Sequence, residues 1–311
     1  MNGRLTACTI IIAILALVNA YFFIVVIRPP VEGSGAVFTT AQAFIAPPNP
    51  VSYLPLLDTS VRDVNLDAKS AIIYDVKSDR NLFEKNINVK LPVASLTKIL
   101  NAVVVWEKFS PNDQVTVQAS AVKVDGEKQD LYLNETLSIN NLIQLMLVES
   151  SNDAAYALRD YAASQQIDLV KEMNLKVVAL GMRDTQFLDV AGLNDSGYST
   201  ASDLVKAVRY ALRYDAIWNF SRELTATVDS SDGKISHVIK NTNQLLGVLS
   251  DIIGGKTGYT ESALGCIILI VDAAPKTGDQ NGKIIAIVLG SHNRFEDMKN
   301  LITWAKRAYR W

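Results

Sequence analysis

Three hydrophobic patterns follow one another along the 311-residue chain. The first is a mainly apolar run without charge from Leu5 to Ile27, flanked by Arg4 and Arg28. A helix rises about 1.5 Å per residue, so this run is long enough to cross the hydrocarbon layer of a membrane. The pattern predicts that residues 1–28 form an N-terminal membrane anchor.

A cleaved signal peptide is the alternative for this segment, because Val18-Asn19-Ala20 resembles a small-residue cleavage site. The apolar run continues from Tyr21 to Ile27 past that site, which favours the anchor. In both cases the rest of the chain is expected outside the cytoplasm.

The second pattern, over residues 29–57, is rich in proline and poor in charge. It holds six of the nine prolines, a Gly33-Ser34-Gly35 triplet and a single charge, Glu32. This composition predicts a tether rather than a folded element. The folded domain is therefore expected to span residues 58–311.

The third pattern alternates short β-rich runs with apolar residues at helical spacing. Two β-rich runs around the polar turn Lys77–Arg80 predict a hairpin. The middle of the domain has mainly helical spacing and strands return late, which indicates one sheet built from distant segments. The predicted strands are 71–76, 81–84, 264–271 and 283–289, and the predicted helices begin at Ser95 or cover 139–148, 154–163, 167–180 and 295–309.

Composition excludes several function classes. The 30 basic and 32 acidic residues nearly balance and form no basic block with interleaved aromatics, so nucleic acid is not an expected partner. Cys8 lies in the apolar segment, which disfavours a disulfide with Cys266. His237 and His292 are far apart and have no acid or cysteine at ligand spacing, so no metal or other cofactor is expected.

Candidate chemistry first appears in the string Ser95-Leu96-Thr97-Lys98. Pro92 marks a boundary and apolar residues recur at helical intervals after Ser95, which puts Ser95 in the first turn of a helix. Positions i and i+3 share a face, so the Lys98 amine can reach the Ser95 hydroxyl. The free N–H of Ser95 would be half of an oxyanion hole. Taken alone, the string also fits a capped surface helix.

Two further strings, Ser150-Ser151-Asn152 and Lys256-Thr257-Gly258, follow in order. Together the three resemble the serine acyl-transfer enzymes that include penicillin-binding proteins and class A β-lactamases. The closer resemblance is to the low-molecular-weight D-alanyl-D-alanine carboxypeptidases of peptidase family S11, and it covers residues 65–309. The matching strings are 92–98, 146–155, 180–187, 199–201 and 241–246.

The resemblance implies an α/β (α+β) fold of the β-lactamase/DD-peptidase type. It would have an antiparallel sheet flanked by helices plus an all-helical lobe, with an N-terminal transmembrane helix. The implied activity is removal of the terminal D-alanine from peptidoglycan stem peptides ending in D-Ala-D-Ala, with β-lactam antibiotics as covalent inhibitors. The implied location is the bacterial cytoplasmic membrane, single-pass, with the catalytic domain on the periplasmic or cell-wall side; secretion after signal cleavage is the alternative.

The resemblance also implies roles for individual residues. Ser95 would be the nucleophile, Lys98 its base, and Ser150 the group that passes the proton to the leaving amine. Burial and the positive charge of Lys256 are expected to lower the pKa of Lys98. The implied substrate-binding residues are Asn152, Lys256, Thr257, Gly258 and Tyr259, the last through its backbone N–H as the second oxyanion donor.

Three alternative functions stay open at this point. A β-lactamase needs a base for rapid deacylation, but Glu172 lies in a helix pattern and Glu223 has no supporting motif. A DD-endopeptidase would cut peptidoglycan cross-links with the same residues. A non-catalytic wall-binding or sensory domain would keep the fold without turnover.

Some residues depart from the family pattern or repeat it. Lys276-Thr277-Gly278 is a second K-T-G string, but it lies among turn-forming residues, so we assign the motif to Lys256. Many members of the family have His-Gly-Leu where this chain has Ala191-Gly192-Leu193, which leaves the role of that loop open. Asn134 stands at a usual glycine position and tolerates a left-handed turn.

Overall fold

The structure is a computed structural model that describes residues 54–124, 131–273 and 282–311. The predicted anchor, residues 29–53 of the predicted tether and the second K-T-G string lie outside the described residues. Within the described ranges, no helix combines the length and the apolarity that a membrane span requires.

A five-stranded antiparallel sheet forms the centre of the domain. Two inner strands, residues 264–272 and 283–291, are apolar almost throughout, as expected for strands that are buried on both faces. The last strand is an edge strand, so one of its sides is open to other contacts. In spatial order the strands are β3 (Arg80–Lys85), β2 (Ser70–Asp75), β10 (Lys283–Ser291), β9 (Leu264–Asp272) and β8 (Ile252–Thr260).

Three short antiparallel pairs lie outside this sheet. One of them falls on the last two residues of the predicted tether, where Leu56 pairs with Arg310. The pairs are β1 (Leu56–Leu57) with β11 (Tyr309–Arg310), β4 (Gln114–Thr116) with β5 (Thr136–Ser138), and β6 (Thr225–Asp229) with β7 (Ser236–Lys240).

Helices cover both faces of the sheet. A short 3₁₀ turn, Ala94–Leu96, leads into the first of them. The helices are α1 (Thr97–Lys108), α2 (Ile139–Val148), α3 (Asn152–Ser164), α4 (Leu169–Ala179), α5 (Ala201–Ala211), α6 (Asp215–Ser221) and α7 (Arg294–Ala308).

Strand β9 separates two hydrophobic cores because successive side chains of a strand point to opposite faces. Ile268 and Ile270 belong to the larger core, which holds the apolar residues of α1 to α6. Ile267 and Leu269 belong to the smaller core, which packs against α7. The candidate catalytic residues lie on the side of the larger core.

Much of the predicted secondary structure is confirmed. The hairpin, the two late strands and the five predicted helices are present, and α2 has the predicted bounds. Asn134 adopts a left-handed φ of 65°, as expected for a residue that replaces glycine.

The prediction of an all-helical lobe is wrong in one respect, since the pairs β4–β5 and β6–β7 accompany the helices. The strands of the β4–β5 pair have only three residues each, which is too short to give a period-two signal. Helices α5 and α6 were not predicted, and the K-T-G segment, which had no assignment, forms strand β8.

Candidate active site

The candidate nucleophile Ser95 lies in the 3₁₀ turn at the start of α1. The residue before it, Ala94, has a φ of 48°, in the left-handed region that costs a non-glycine residue about 1–2 kcal/mol. Thr97 donates its hydroxyl to the Ala94 carbonyl at 2.9 Å, which helps to hold this conformation. The residue before Ser95 is therefore strained, and the hydroxyl of Thr97 helps to keep it in place.

Lys98 follows on the next turn, and its side chain is fully buried. Its Nζ lies 2.9 Å from Ser95 Oγ and 2.6 Å from Asn152 Oδ1. It also donates to the carbonyl of Ser150 at 3.0 Å and lies 3.4 Å from the Ser150 hydroxyl. Burial lowers the pKa of Lys98 to about 7, and the negative charge of Asp189 opposes that shift.

The short link between α2 and α3 presents the second hydroxyl. Ser150 has a φ of 70°, and this turn directs the chain from one helix into the next. Ser151 then caps α3, because its hydroxyl accepts a hydrogen bond from Ala154 N at 3.1 Å. Asn152 begins α3 and thereby reaches Lys98.

Strand β8 supplies the third side of the site. Lys256 is buried and donates to Ser150 Oγ at 2.8 Å and to its neighbour's carbonyl, Thr257 O, at 2.9 Å. The Ser150 hydroxyl thus lies between two lysine side chains. The Thr257 hydroxyl is 2.6 Å from that of Thr242, and the side chain of Thr257 lines the adjoining cleft.

Gly258 brings β8 against the peptide of the nucleophile. A Cβ built on Gly258 would lie 2.9 Å from Ser95 N and 3.1 Å from Val93 O. Because backbone atoms on both sides would have to move, only glycine allows this approach. Tyr259, the next residue, is 58% exposed and lines the cleft.

These groups open into a cleft of about 260 Å³. Ser95, Ser150 and Asn152 line one part of it, and residues 257–260 of β8 line another. Arg294, the first residue of α7, lies at the same cleft with its guanidinium 5.8 Å from the centre of the Tyr259 ring. The structure therefore brings together all eight residues proposed for the site from the sequence. Among the described residues, no group of three potential ligand side chains could hold a metal ion.

A comparison with family models agrees with this geometry. The model described as D-alanyl-D-alanine carboxypeptidase, peptidase S11, matches residues 58–293 and includes every residue of the three motifs. This chain belongs to the D-alanyl-D-alanine carboxypeptidase family. The family predicted from the three motifs is therefore confirmed.

Two relatives in this family carry different names. D-Alanyl-D-alanine carboxypeptidase DacF of Bacillus subtilis is 29% identical over 231 residues, which cover 72% of this chain and 58% of the relative. The chain thus spans little more than half the length of that relative. The D-alanyl-D-alanine endopeptidase of Haemophilus influenzae is 35% identical over 199 residues, which cover 63% of this chain and 68% of the relative.

A solved structure agrees with the fold. Penicillin-binding protein D2 of Listeria monocytogenes, in its ampicillin-bound form, matches with a TM-score of 0.66 and 29% identity. The match covers 78% of this chain and 99% of that protein. The predicted α+β fold with an antiparallel sheet is confirmed; the predicted transmembrane helix lies outside the described residues.

Asp189, Thr242, Thr260 and Arg294 lie at the site and were not given a role from the sequence. Thr242 lies in the string 241–246, which matches the family, and this match was a signal that could have pointed to it. Asp189 and Arg294 lie in no catalytic motif, and only folding brings them to the site.

The two glutamates considered for a β-lactamase are engaged elsewhere. Glu172 pairs with Lys108 at 2.8 Å, and Glu223 accepts a hydrogen bond from Gln144 at 2.7 Å. Glu149 does line the cleft, directly before Ser150. Glu172 and Glu223, the two glutamates considered as bases for deacylation, therefore have other partners.

Proposed function

We propose that this protein is a serine-type D-Ala-D-Ala carboxypeptidase that removes the terminal D-alanine from peptidoglycan stem peptides. One observation carries the proposal: a fully buried lysine, with its pKa lowered to about 7, lies 2.9 Å from the hydroxyl of Ser95. A buried amine with that pKa is substantially neutral at physiological pH, so it can act as a general base.

In the acylation step, Ser95 Oγ attacks the carbonyl carbon of the penultimate D-alanine. Its proton passes to the lone pair of Lys98 Nζ as the C–O bond forms. The carbonyl oxygen becomes an oxyanion, for which we assign the backbone N–H groups of Ser95 and Tyr259 as donors. An oxyanion donor of this kind is typically worth about 3–4 kcal/mol.

Collapse of the tetrahedral intermediate breaks the C–N bond and needs a proton on the departing amine. Lys98 holds that proton, and Ser150 Oγ lies 3.4 Å from its Nζ. We assign Ser150 as the relay: its hydroxyl gives a proton to the amine and takes one from Lys98. Lys256, which donates to the same hydroxyl at 2.8 Å, orients it for this transfer.

The free carboxylate of the substrate requires donors at the far end of the cleft. The Thr257 hydroxyl is one, oriented by Thr242. Arg294 is the second: it lines the cleft, and no acidic side chain among the described residues pairs with it. Its Nε is buried without a hydrogen-bond partner in the described structure, and guanidinium groups bind carboxylates well. Asn152 is assigned to the substrate amide.

The acyl-enzyme is then hydrolysed by water, which returns Ser95 to its free state and releases the shortened peptide. Lys98 is again the group placed to take a proton from the attacking oxygen, because it lies beside the ester oxygen.

The test is incubation of the purified protein with a stem pentapeptide ending in D-Ala-D-Ala, with release of D-alanine as the measurement. We expect release by the natural protein and none by Ser95→Ala. Labelling of Ser95 by a fluorescent penicillin is the parallel assay. Absence of both activities would leave a non-catalytic wall-binding or sensory domain, and rapid turnover of penicillin would indicate a β-lactamase.

A DD-endopeptidase is the second candidate, because a relative of this name is 35% identical to the chain. A cross-linked peptide dimer offered beside the pentapeptide separates the two activities. Preferential cleavage of the dimer would assign the endopeptidase activity in place of the carboxypeptidase activity.

We also propose that the N-terminal apolar segment anchors the protein in the bacterial cytoplasmic membrane, with the catalytic domain outside the cytoplasm. The uncharged run from Leu5 to Ile27 and the extracytoplasmic substrate support this. Membrane fractions should retain the uncleaved protein after a high-salt wash. A soluble mature chain that begins after Ala20 would support secretion instead.

A further inference from the structure

A compact loop, residues 189–195, lies directly behind the nucleophile and is organised by one carboxylate. Asp189 accepts hydrogen bonds from the backbone N–H groups of Ala191, at 2.6 Å, and of Gly192 and Asn194. A carboxylate that collects several N–H groups of one short segment fixes the path of that segment. The shape of this loop therefore depends on Asp189.

The loop contacts the turn that carries Ser95. Gly192 has a φ of 80°, and a Cβ built on it would lie 1.9 Å from the Ala94 carbonyl oxygen and 2.8 Å from Thr97 Oγ1. The backbone at Gly192 thus presses against the strained residue before the nucleophile. A left-handed non-glycine residue persists only where its surroundings hold it, and this loop is one of those surroundings.

Two more hydrogen bonds attach the loop to the walls of the site. Asn101, one turn after Lys98 on α1, donates its side-chain amide to the carbonyl of Val190 at 2.9 Å. Asp195 accepts the hydroxyl of Thr260, at the end of β8, at 2.6 Å. The loop therefore connects the helix that carries the base with the strand that carries the K-T-G motif.

We propose that Asp189 is a positioning residue for acylation: its carboxylate folds the loop of residues 189–195, which holds Ala94 and thereby aims Ser95 at the substrate. This inference rests on the proposed function, since it assumes that Ser95 is acylated. It gives a role to the loop in which Ala191 stands at the usual histidine position of the family.

The charge of Asp189 provides a readout that a purely structural role would lack. Its charge raises the pKa of Lys98, against the larger lowering by burial. Other ionisable groups on the elements around Lys98 are Glu149, Asp153, Tyr156 and Lys256. Removal of the charge at position 189 should lower the pKa of Lys98, so the neutral amine would persist to lower pH.

The experiment compares Asp189→Asn, Asp189→Glu and Asp184→Asn with the natural protein. Asp184 is a matched control, because it is half exposed and pairs with Lys90 at 3.0 Å on the surface. The measurement is the second-order rate constant for labelling of Ser95 by a fluorescent penicillin, as a function of pH. Thermal unfolding of each variant is recorded alongside.

For Asp189→Asn we expect the rate constant at the high-pH plateau to fall by roughly tenfold or more, because the nucleophile is less well placed. Its acid limb should move to lower pH, since that limb reports the pKa of the base in the free enzyme. Asp189→Glu keeps the charge but lengthens the side chain. Its rate constant at the plateau should therefore fall, while its acid limb should stay at the natural pH. Asp184→Asn should match the natural protein in both respects.

An Asp189→Asn variant with an unchanged plateau, or with an unmoved acid limb, would overturn the proposal. If Asp189→Asn does not fold, Asp189→Glu decides: a lower plateau supports the proposal and a natural plateau rejects it. A natural protein that is not labelled at Ser95 would instead refute the proposed function, so the two failures are distinguishable.

Discussion

At the scale of the residue, the site depends on two hydroxyl groups held at unusual backbone angles. Ser95 follows Ala94, whose φ is 48°, and Ser150 itself has a φ of 70°. Such angles cost free energy and concentrate where a side chain must be aimed. Between the two hydroxyls lies the buried amine of Lys98, which is the base in the mechanism that we propose.

Lys98→Met should remove this base while it preserves the volume of the buried side chain. Acylation of Ser95 by penicillin should fall by a factor on the order of 10³. In the natural protein the rate constant should rise with pH through about 7, because burial lowers the pKa of Lys98 to that value and only the neutral amine accepts a proton. The variant should lack this rise.

Rate constants measured against pH test both parts of this prediction. Lys90→Met, at a half-exposed lysine paired with Asp184, is the control and should keep the natural profile. A Lys98→Met protein that is still labelled at the natural rate would show that another group deprotonates Ser95.

The sequence predicted the residues of the site better than it predicted their surroundings. Ser95 and Lys98 could be paired because three residues of helix place them on one face. Arg294 and Asp189 could not be found in this way, because each is distant in sequence from Ser95 and occurs in no short motif. Tertiary folding alone brings them to the cleft.

At the scale of the element, β8 is an edge strand whose K-T-G motif lies against the turn that carries Ser95. Two glycines make this possible. A Cβ on Gly258 would overlap the peptide of Ser95, and a Cβ on Gly255 would lie 2.5 Å from the Ile268 carbonyl of β9. The glycines that weaken a strand signal in the sequence are therefore those that let the strand lie close to its neighbours.

Lys256→Ala and Lys276→Ala form a matched pair that tests which K-T-G string is functional. Lys256 lies on β8 and donates to Ser150 Oγ at 2.8 Å, so its loss removes both a charge and an orienting hydrogen bond. We expect D-alanine release to fall by roughly 100-fold or more for Lys256→Ala. Lys276→Ala should keep the natural rate of release.

Steady-state release of D-alanine from the pentapeptide is the measurement for this pair, with unfolding curves to establish that both variants fold. A large loss of D-alanine release in Lys276→Ala, together with a normal rate in Lys256→Ala, would show that the second K-T-G string is the functional one.

The missed elements differ in how clearly the sequence indicates them. Helix α5 follows a capping Thr200 and has a buried apolar face, so its signals are present in the sequence although the helix was not predicted. The strands of β4–β5 have three residues each, too few for alternation to be distinguished from chance. In contrast, β9 and β10 are nine-residue apolar runs and were predicted readily.

At the scale of the whole molecule, the two faces of the sheet support different parts of the cleft. The larger core packs against helices α1, α2 and α3. Lys98 lies in α1 and Asn152 in α3, while Ser95 and Ser150 lie in the short segments before these two helices. The smaller core fixes α7, whose first residue is Arg294. The cleft therefore depends on the packing of both faces, although the sequence motifs all belong to one.

Asp297, in the first turn of α7, connects this helix by hydrogen bonds to the segment before β2 and to the end of β10. It is buried, and its carboxylate accepts hydrogen bonds from Asp67 N at 3.0 Å, Ala68 N at 2.8 Å and Ser291 Oγ at 2.6 Å. Asp297→Ala would leave these donors without their acceptor in the interior, so we expect the free energy of unfolding to fall by about 3 kcal/mol. Chemical denaturation at constant m-value measures this loss, since a shift of the midpoint alone reports stability.

Glu296→Ala, at the exposed neighbour on the same turn, is the control and should change the free energy of unfolding by no more than about 0.5 kcal/mol. Equal effects of the two substitutions would mean that α7 is held by its apolar face alone, and that the three hydrogen bonds of Asp297 add nothing to the fold.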